Sequence, residues 1–108
     1  MAHYLFQGSY SSDSWKTLIK KPVNRFDAIR PAIEKLGGSI EGAWLAFGDY
    51  DIVLIAEMPD NVSAAAFALA VSAGGALKSF KTTALITPTE GLAAMKKAGN
   101  AGYRPPAK

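Results

Sequence analysis

Cysteine is absent from this chain, and histidine occurs once, as His3. The first absence excludes disulfides, thiolate metal sites and cysteine nucleophiles. The second leaves too few nitrogen and sulfur donors for a classical zinc site, so no complete metal ligand set is expected, although His3 with a carboxylate could supply half of one. No apolar run approaches the roughly 18 residues that would span a membrane. No N-terminal stretch combines a basic start, an apolar run and a small-residue cleavage site. P-loop, dinucleotide-binding, zinc and nucleophile-elbow motifs are all missing. Charge is scarce as well: 19% of residues are charged against 49% hydrophobic, a globular balance rather than a disordered one. The net charge of +3 is carried in good part by Lys20, Lys21, Lys96, Lys97, Arg104 and Lys108, at expected helix ends and in the tail. That distribution describes a solvated surface rather than a nucleic-acid footprint. A soluble protein of a bacterial cytoplasm is the expectation.

What is present is a regular alternation of strand and helix signals. With 108 residues, one domain is the natural size. His3 to Tyr10 is apolar and aromatic and predicts a first strand over about 3–9. Ser11-Ser12-Asp13-Ser14 supplies helix-capping residues for a short helix through Trp15, Leu18 and Ile19. A longer helix is expected from Pro22 to Leu36, because Phe26, Ile29, Ile33 and Leu36 fall on one face. Pro31 should kink it, and Gly37-Gly38 should stop it. Ser39 to Phe47 predicts a second strand, with Ile40, Trp44 and Ala46 on one face and Ala43, Leu45 and Phe47 on the other. Gly48-Asp49 suits a two-residue type II′ turn. Tyr50 to Met58, apolar except for Asp51 and Glu57, predicts a central strand buried on both faces.

Asp60 then caps an alanine-rich helix over about 61–73, which Gly74-Gly75 ends. Leu77 to Ile86 alternates as a half-exposed edge strand does. Thr87-Pro88-Thr89-Glu90 is a capping box with proline at the first helical position, opening a last helix to about Ala98. The expected domain is therefore 1–98, followed by a basic Gly/Pro-containing tail, 99–108, which Tyr103 could anchor.

This β-α-β-β-α-β order is the split βαβ, or ferredoxin-like, α+β pattern. Right-handed crossovers give strand order 4-1-3-2, with all neighbours antiparallel. Helices cover only one face of such a sheet. The apolar residues expected on the other face imply a partner, most simply an identical chain packed sheet to sheet. RNA-binding domains of the RRM type share this topology, but they need stacking aromatics on the central strands. The segment Tyr50 to Met58 carries aliphatic residues instead, so nucleic acid is not an expected partner.

Gly48-Asp49-Tyr50-Asp51-Ile52-Val53, Glu57, Pro59-Asp60 and the run Ala64 to Ala70 together resemble the GYD domain family, named for a Gly-Tyr-Asp element. That element stands here as Gly48, Tyr50 and Asp51, with Asp49 intervening. Lys21, Pro22 and Arg25, then Leu36-Gly37-Gly38, extend the resemblance to about residues 3–95. Pro31 and the tail depart from the pattern. The resemblance implies a fold similar to the dimeric α+β barrels. Relatives of that architecture include monooxygenases, small isomerases and amino-acid-sensing effector domains, and fold alone does not choose among them.

The candidate chemistry follows from strand parity. Asp51 and Glu57 share parity and would point to one sheet face, where a carboxylate is costly unless paired or hydrated. His3, at the start of the first strand, would lie beside the end of the third and approach Glu57. Asp51, His3 and Glu57 are thus the candidate acid/base groups. Asp51 could instead brace the turn. Tyr50 and Trp44, near the hairpin, and Trp15 with Tyr10, at its rim, are the candidates for lining an apolar ligand pocket. Three readings stand at this stage. The leading one is a homo-oligomeric small-molecule-binding, regulatory module. The others are a cofactor-free or metal-assisted enzyme acting on a small apolar or aromatic substrate, and a structural assembly subunit.

Overall fold

The computed structural model describes residues 1–106; Ala107 and Lys108, the end of the expected tail, lie outside the described residues. The elements run β1 (Ala2–Tyr10), α1 (Ser12–Lys20), α2 (Phe26–Lys35), β2 (Ser39–Leu45), β3 (Ile52–Met58), α3 (Asn61–Ala73), β4 (Leu77–Leu85) and α4 (Pro88–Gly99). One four-stranded sheet has the order β2-β3-β1-β4, which is the expected 4-1-3-2 read from the other edge. Every pairing is antiparallel.

Alternation along the two central strands sets the core. Tyr4 and Phe6 on β1, with Ile52, Leu54, Ala56 and Met58 on β3, are buried under the helices. Ile33 of α2 and Ala64 and Phe67 of α3 close the core from above. Phe6 meets the Phe67 ring edge-on at 5.0 Å and stacks on Phe80 at 5.9 Å, geometries that aromatic quadrupoles favour. The alternate residues of β3, Val53, Ile55 and Glu57, are only half-buried. Burial on both faces, expected for β3, therefore does not arise within one chain, because the helices lie on one side only.

Local signals act where they stand in the chain. The side chain of Ser11 caps α1 by accepting from the Ser14 amide, and that of Asp60 caps α3 by accepting from the Ser63 amide at 2.7 Å. Thr87 and Glu90 form the reciprocal capping box of α4. At the end of α2, Gly37 adopts φ +86°, and the amides of Gly37 and Gly38 donate back to Glu34 and Ile33. This is a Schellman ending, and it needs a residue without a Cβ at Gly37.

Four expectations change. α2 begins at Phe26, not Pro22: Asn24 accepts from the Phe26 amide, leaving 21–25 as a linker. β2 stops at Leu45, and Phe47 is fully exposed. A bulge between Ile40 and Gly42 shifts the register. Ile40 and Ala43 consequently share the core side, while Trp44 pairs with Val53 on the open face. Finally, the β2–β3 connection is not a two-residue type II′ turn. Such a turn needs positive φ at its first residue, and Gly48 does not have it. The chain instead makes a longer loop over 46–51, closed by the Ala46 amide donating to Asp51 O at 2.8 Å.

α4 carries no buried residue and leaves Leu92 and Met95 exposed. The radius of gyration is 17.3 Å, against about 13 Å for a compact domain of this length.

Candidate functional site

The β2–β3 loop is tied to the end of β1, and this tie builds the site. Ser9 Oγ donates to Asp49 O at 2.8 Å, and the Asp51 amide donates to Gly8 O at 2.8 Å. The Asp51 carboxylate turns toward β1 and α1. Its Oδ2 accepts from the Tyr10 amide at 2.9 Å and from Trp15 Nε1 at 3.3 Å. One carboxylate thereby joins the loop, the last residue of β1 and the first turns of α1. The Tyr10 and Trp15 rings meet edge-to-face with centroids 5.2 Å apart.

These two aromatics form one wall of a cavity of about 870 Å³ between α1, the 21–25 linker and edge strand β2. Leu18, Ile19, Phe26 and Trp44 add apolar wall, and Arg25 adds a cation. Tyr10 is buried, and burial pushes its phenol above the ordinary value, opposed by the neighbouring Arg25 guanidinium. Trp44 lies over Gly42, where a Cβ would come within 2.5 Å of the indole. A smaller cavity of about 220 Å³ lies between sheet and helices and shares Tyr10 and Arg25.

Of the four residues expected to line a pocket, Tyr10, Trp15 and Trp44 meet in the large cavity; Tyr50 is half-buried in the loop and is not among its lining residues. The three acid/base candidates divide. His3 pairs with Glu57 in the β1–β3 register, and its Nε2 is 3.8 Å from Glu57 Oε1. Asp51 sits beside Gly8, five residues further along β1, or about 16 Å away at strand rise. Strand parity had placed Asp51 and Glu57 on one face. Asp51, however, precedes β3, and its carboxylate is engaged by Tyr10 and Trp15.

Two residues escaped the sequence reading. Arg25 borders both cavities, and its place in the Lys21-Pro22…Arg25 spacing was the available signal. Glu41, at the β2 bulge, hydrogen-bonds His3 Nδ1 at 2.5 Å. Gly42, an isolated glycine inside β2, was the available signal for a bulge, though not for where its side chains would point.

The family model described as "GYD domain" matches residues 4–95. The chain belongs to the GYD domain family. Among solved structures, this GYD protein is similar to one titled "crystal structure of FFRP-DM1", at 12% identity and TM-score 0.51, covering 80% of this chain and 100% of that one. It is also similar to the hypothetical protein PHS023 from Pyrococcus horikoshii, at 10% identity and TM-score 0.52, covering 81% and 92%. At these identities the likeness establishes the α+β fold and nothing of ligand or activity. No curated protein matches the chain. No helix among the described residues is long and apolar enough to cross a membrane.

Proposed function

We propose that this GYD protein is a homo-oligomeric small-molecule-binding module of the regulatory kind, which takes an apolar or aromatic ligand between α1, the 21–25 linker and β2. The observation that carries the reading is the cavity of about 870 Å³ walled by Tyr10, Trp15, Trp44, Leu18 and Phe26. Its volume lies in the range of drug-sized ligand sites, and its walls have the usual makeup of aromatic bulk with few polar groups. Arg25, which has no carboxylate within 4.0 Å among the described residues, would favour a ligand bearing an anionic or acceptor group.

A second copy of the chain is the partner that best suits the uncovered sheet face. Val53 and Ile55 are half-buried there, Trp44 is exposed beside them, and α4 leaves Leu92 and Met95 exposed. Packing this face against its own symmetry mate is the simplest closed arrangement. The enzyme reading keeps less support, because Asp51 and His3 stand at opposite ends of β1 and cannot act on one small substrate together.

Native mass spectrometry of protein purified from its own host tests both parts. The expected spectrum shows a dimer or higher homo-oligomer that retains a small molecule, which Trp15→Ala and Leu18→Ala, both on α1 and away from the open sheet face, release without changing subunit count. A monomer would overturn the assembly. A ligand retained equally by both variants would overturn the cavity assignment.

A further inference from the structure

We propose that His3, Glu41 and Glu57 form a binding site for a divalent transition-metal ion on the open face of the sheet. The three side chains come from three adjacent strands, and one candidate ligand atom from each lies within 4.8 Å of the others. The site belongs to a single chain and shares no residue with the large cavity.

The fold brings these groups together in a specific way. His3 and Glu57 are cross-strand partners on β1 and β3. Regular alternation after Ile40, which pairs with Ala56 on the core side, would give β2 one open-face residue before the next core position. The bulge supplies two, Glu41 and Gly42, before Ala43 returns to the core. That extra residue is Glu41, whose carboxylate reaches His3. Bulges commonly re-aim one side chain in this manner. The cluster also holds an excess of negative charge. Two carboxylates face one imidazole, and among the described residues no lysine or arginine lies within 4.0 Å of either. A protonated His3 would balance one of them at most. A divalent cation balances both and leaves the imidazole neutral.

The donor set narrows the metal. One imidazole nitrogen and two carboxylates suit borderline ions such as Zn²⁺, Co²⁺ or Fe²⁺, whereas the hard ions Mg²⁺ and Ca²⁺ take oxygen ligands. Ligand atoms around such an ion stand about 3–3.5 Å apart, given metal–ligand bonds of about 2.0–2.2 Å. Half-exposed glutamates, with relative side-chain exposures of 40% at Glu41 and 35% at Glu57, have the freedom to close that gap. Three protein ligands leave at least one coordination position for water or another small molecule. Each imidazole nitrogen faces one carboxylate, Nδ1 that of Glu41 and Nε2 that of Glu57, so with one nitrogen on the ion the other would donate a hydrogen bond that orients the ring.

Cobalt titration of chelator-treated protein, followed by visible absorption and equilibrium dialysis, tests the site. The expected result is one Co²⁺ per chain, displaced by Zn²⁺. His3→Gln and Glu41→Gln should each weaken binding by at least about 10-fold, since loss even of outer-shell partners costs 10- to 100-fold. Asp51→Asn should leave binding unchanged. Circular dichroism checks that the variants fold, and Glu41→Gln, at an exposed position, keeps the test open if His3→Gln does not. Absence of saturable binding overturns the proposal, as does parental affinity in both variants. A chain extended by Gly-Ser at its N-terminus supplies a further control. The terminal amine with His3 could hold Cu²⁺ or Ni²⁺ in a square plane, and binding abolished by the extension would assign the ion to the amine and overturn the site.

Discussion

Asp51→Ala separates a structural carboxylate from a catalytic one. In the structure Asp51 Oδ2 accepts from the Tyr10 amide at 2.9 Å and from Trp15 Nε1 at 3.3 Å. Hydrogen bonds to a charged acceptor contribute about 1.5–3 kcal/mol each to stability when well formed. The Trp15 bond is long and the carboxylate is only half-buried, so the pair together should contribute about 2–3 kcal/mol rather than twice the single value. Asp51→Ala should therefore destabilise by that amount and lower Tm by roughly 8–24 °C, at about 4–8 °C per kcal/mol for a small domain. Asp51→Asn keeps one acceptor oxygen for the Tyr10 amide and should lose roughly half as much. Urea unfolding at one fixed protein concentration, followed by tryptophan fluorescence, reads the difference; the concentration must be fixed because assembly adds to apparent stability. The Trp15 environment should change in the folded baseline of Asp51→Ala as its Nε1 loses its acceptor. If Asp51→Ala is as stable as the parent, or more so, the bracing role is refuted. Stabilisation on removal is what a carboxylate held for chemistry would give.

Three further outcomes are expected. Gly38→Ala should destabilise by about 1–3 kcal/mol, because its Cβ would stand 2.5 Å from Glu57 O and from Met58 Sδ; equilibrium unfolding matching the parent would show that α2 and β3 can separate at no cost. Acidification should loosen α3 and α4 first. Hydrogen bonds from the Ser63 and Thr87 amides hold the Asp60 and Glu90 carboxyls below their ordinary values, so their contribution is fully present above those values and is lost as pH falls through the lowered ones. Below about pH 4.5 the parent should lose stability more steeply than an Asp60→Asn, Glu90→Gln double variant, and identical pH profiles would remove these caps from the acid response. Gly42→Ala should shift the fluorescence of Trp44, since the added methyl would meet the indole at 2.5 Å; an unchanged emission spectrum in a Trp15→Phe background would mean that the indole does not rest on Gly42.

The order of elements, their caps and the strand order were legible in the chain because each rests on short-range chemistry. Thr87 and Glu90 need only one another to form a capping box, and Asp60 needs only the Ser63 amide. Gly37-Gly38 ends α2 because only glycine enters φ +86° without strain. Alternation along β1 and β3 identified the core side, since a two-residue period leaves one face to the helices. His3 was placed beside Glu57 by topology alone, and the register agrees.

Tertiary structure decided the rest, where a residue's role depends on groups far away in sequence. The bulge at Glu41 arises from how β2 registers on β3, so neither the company of Ile40 with Ala43 nor the reach of Glu41 to His3 could be read from β2 itself. The loop over 46–51 takes its path from Gly8 and Ser9, some 40 residues earlier, rather than from the preference of Gly48 for a tight turn. The partners of Asp51 came from that path. Its position in the sequence next to an apolar strand suggested a carboxylate in need of explanation, and the Tyr10 amide and the Trp15 indole supply one that no local pattern contains.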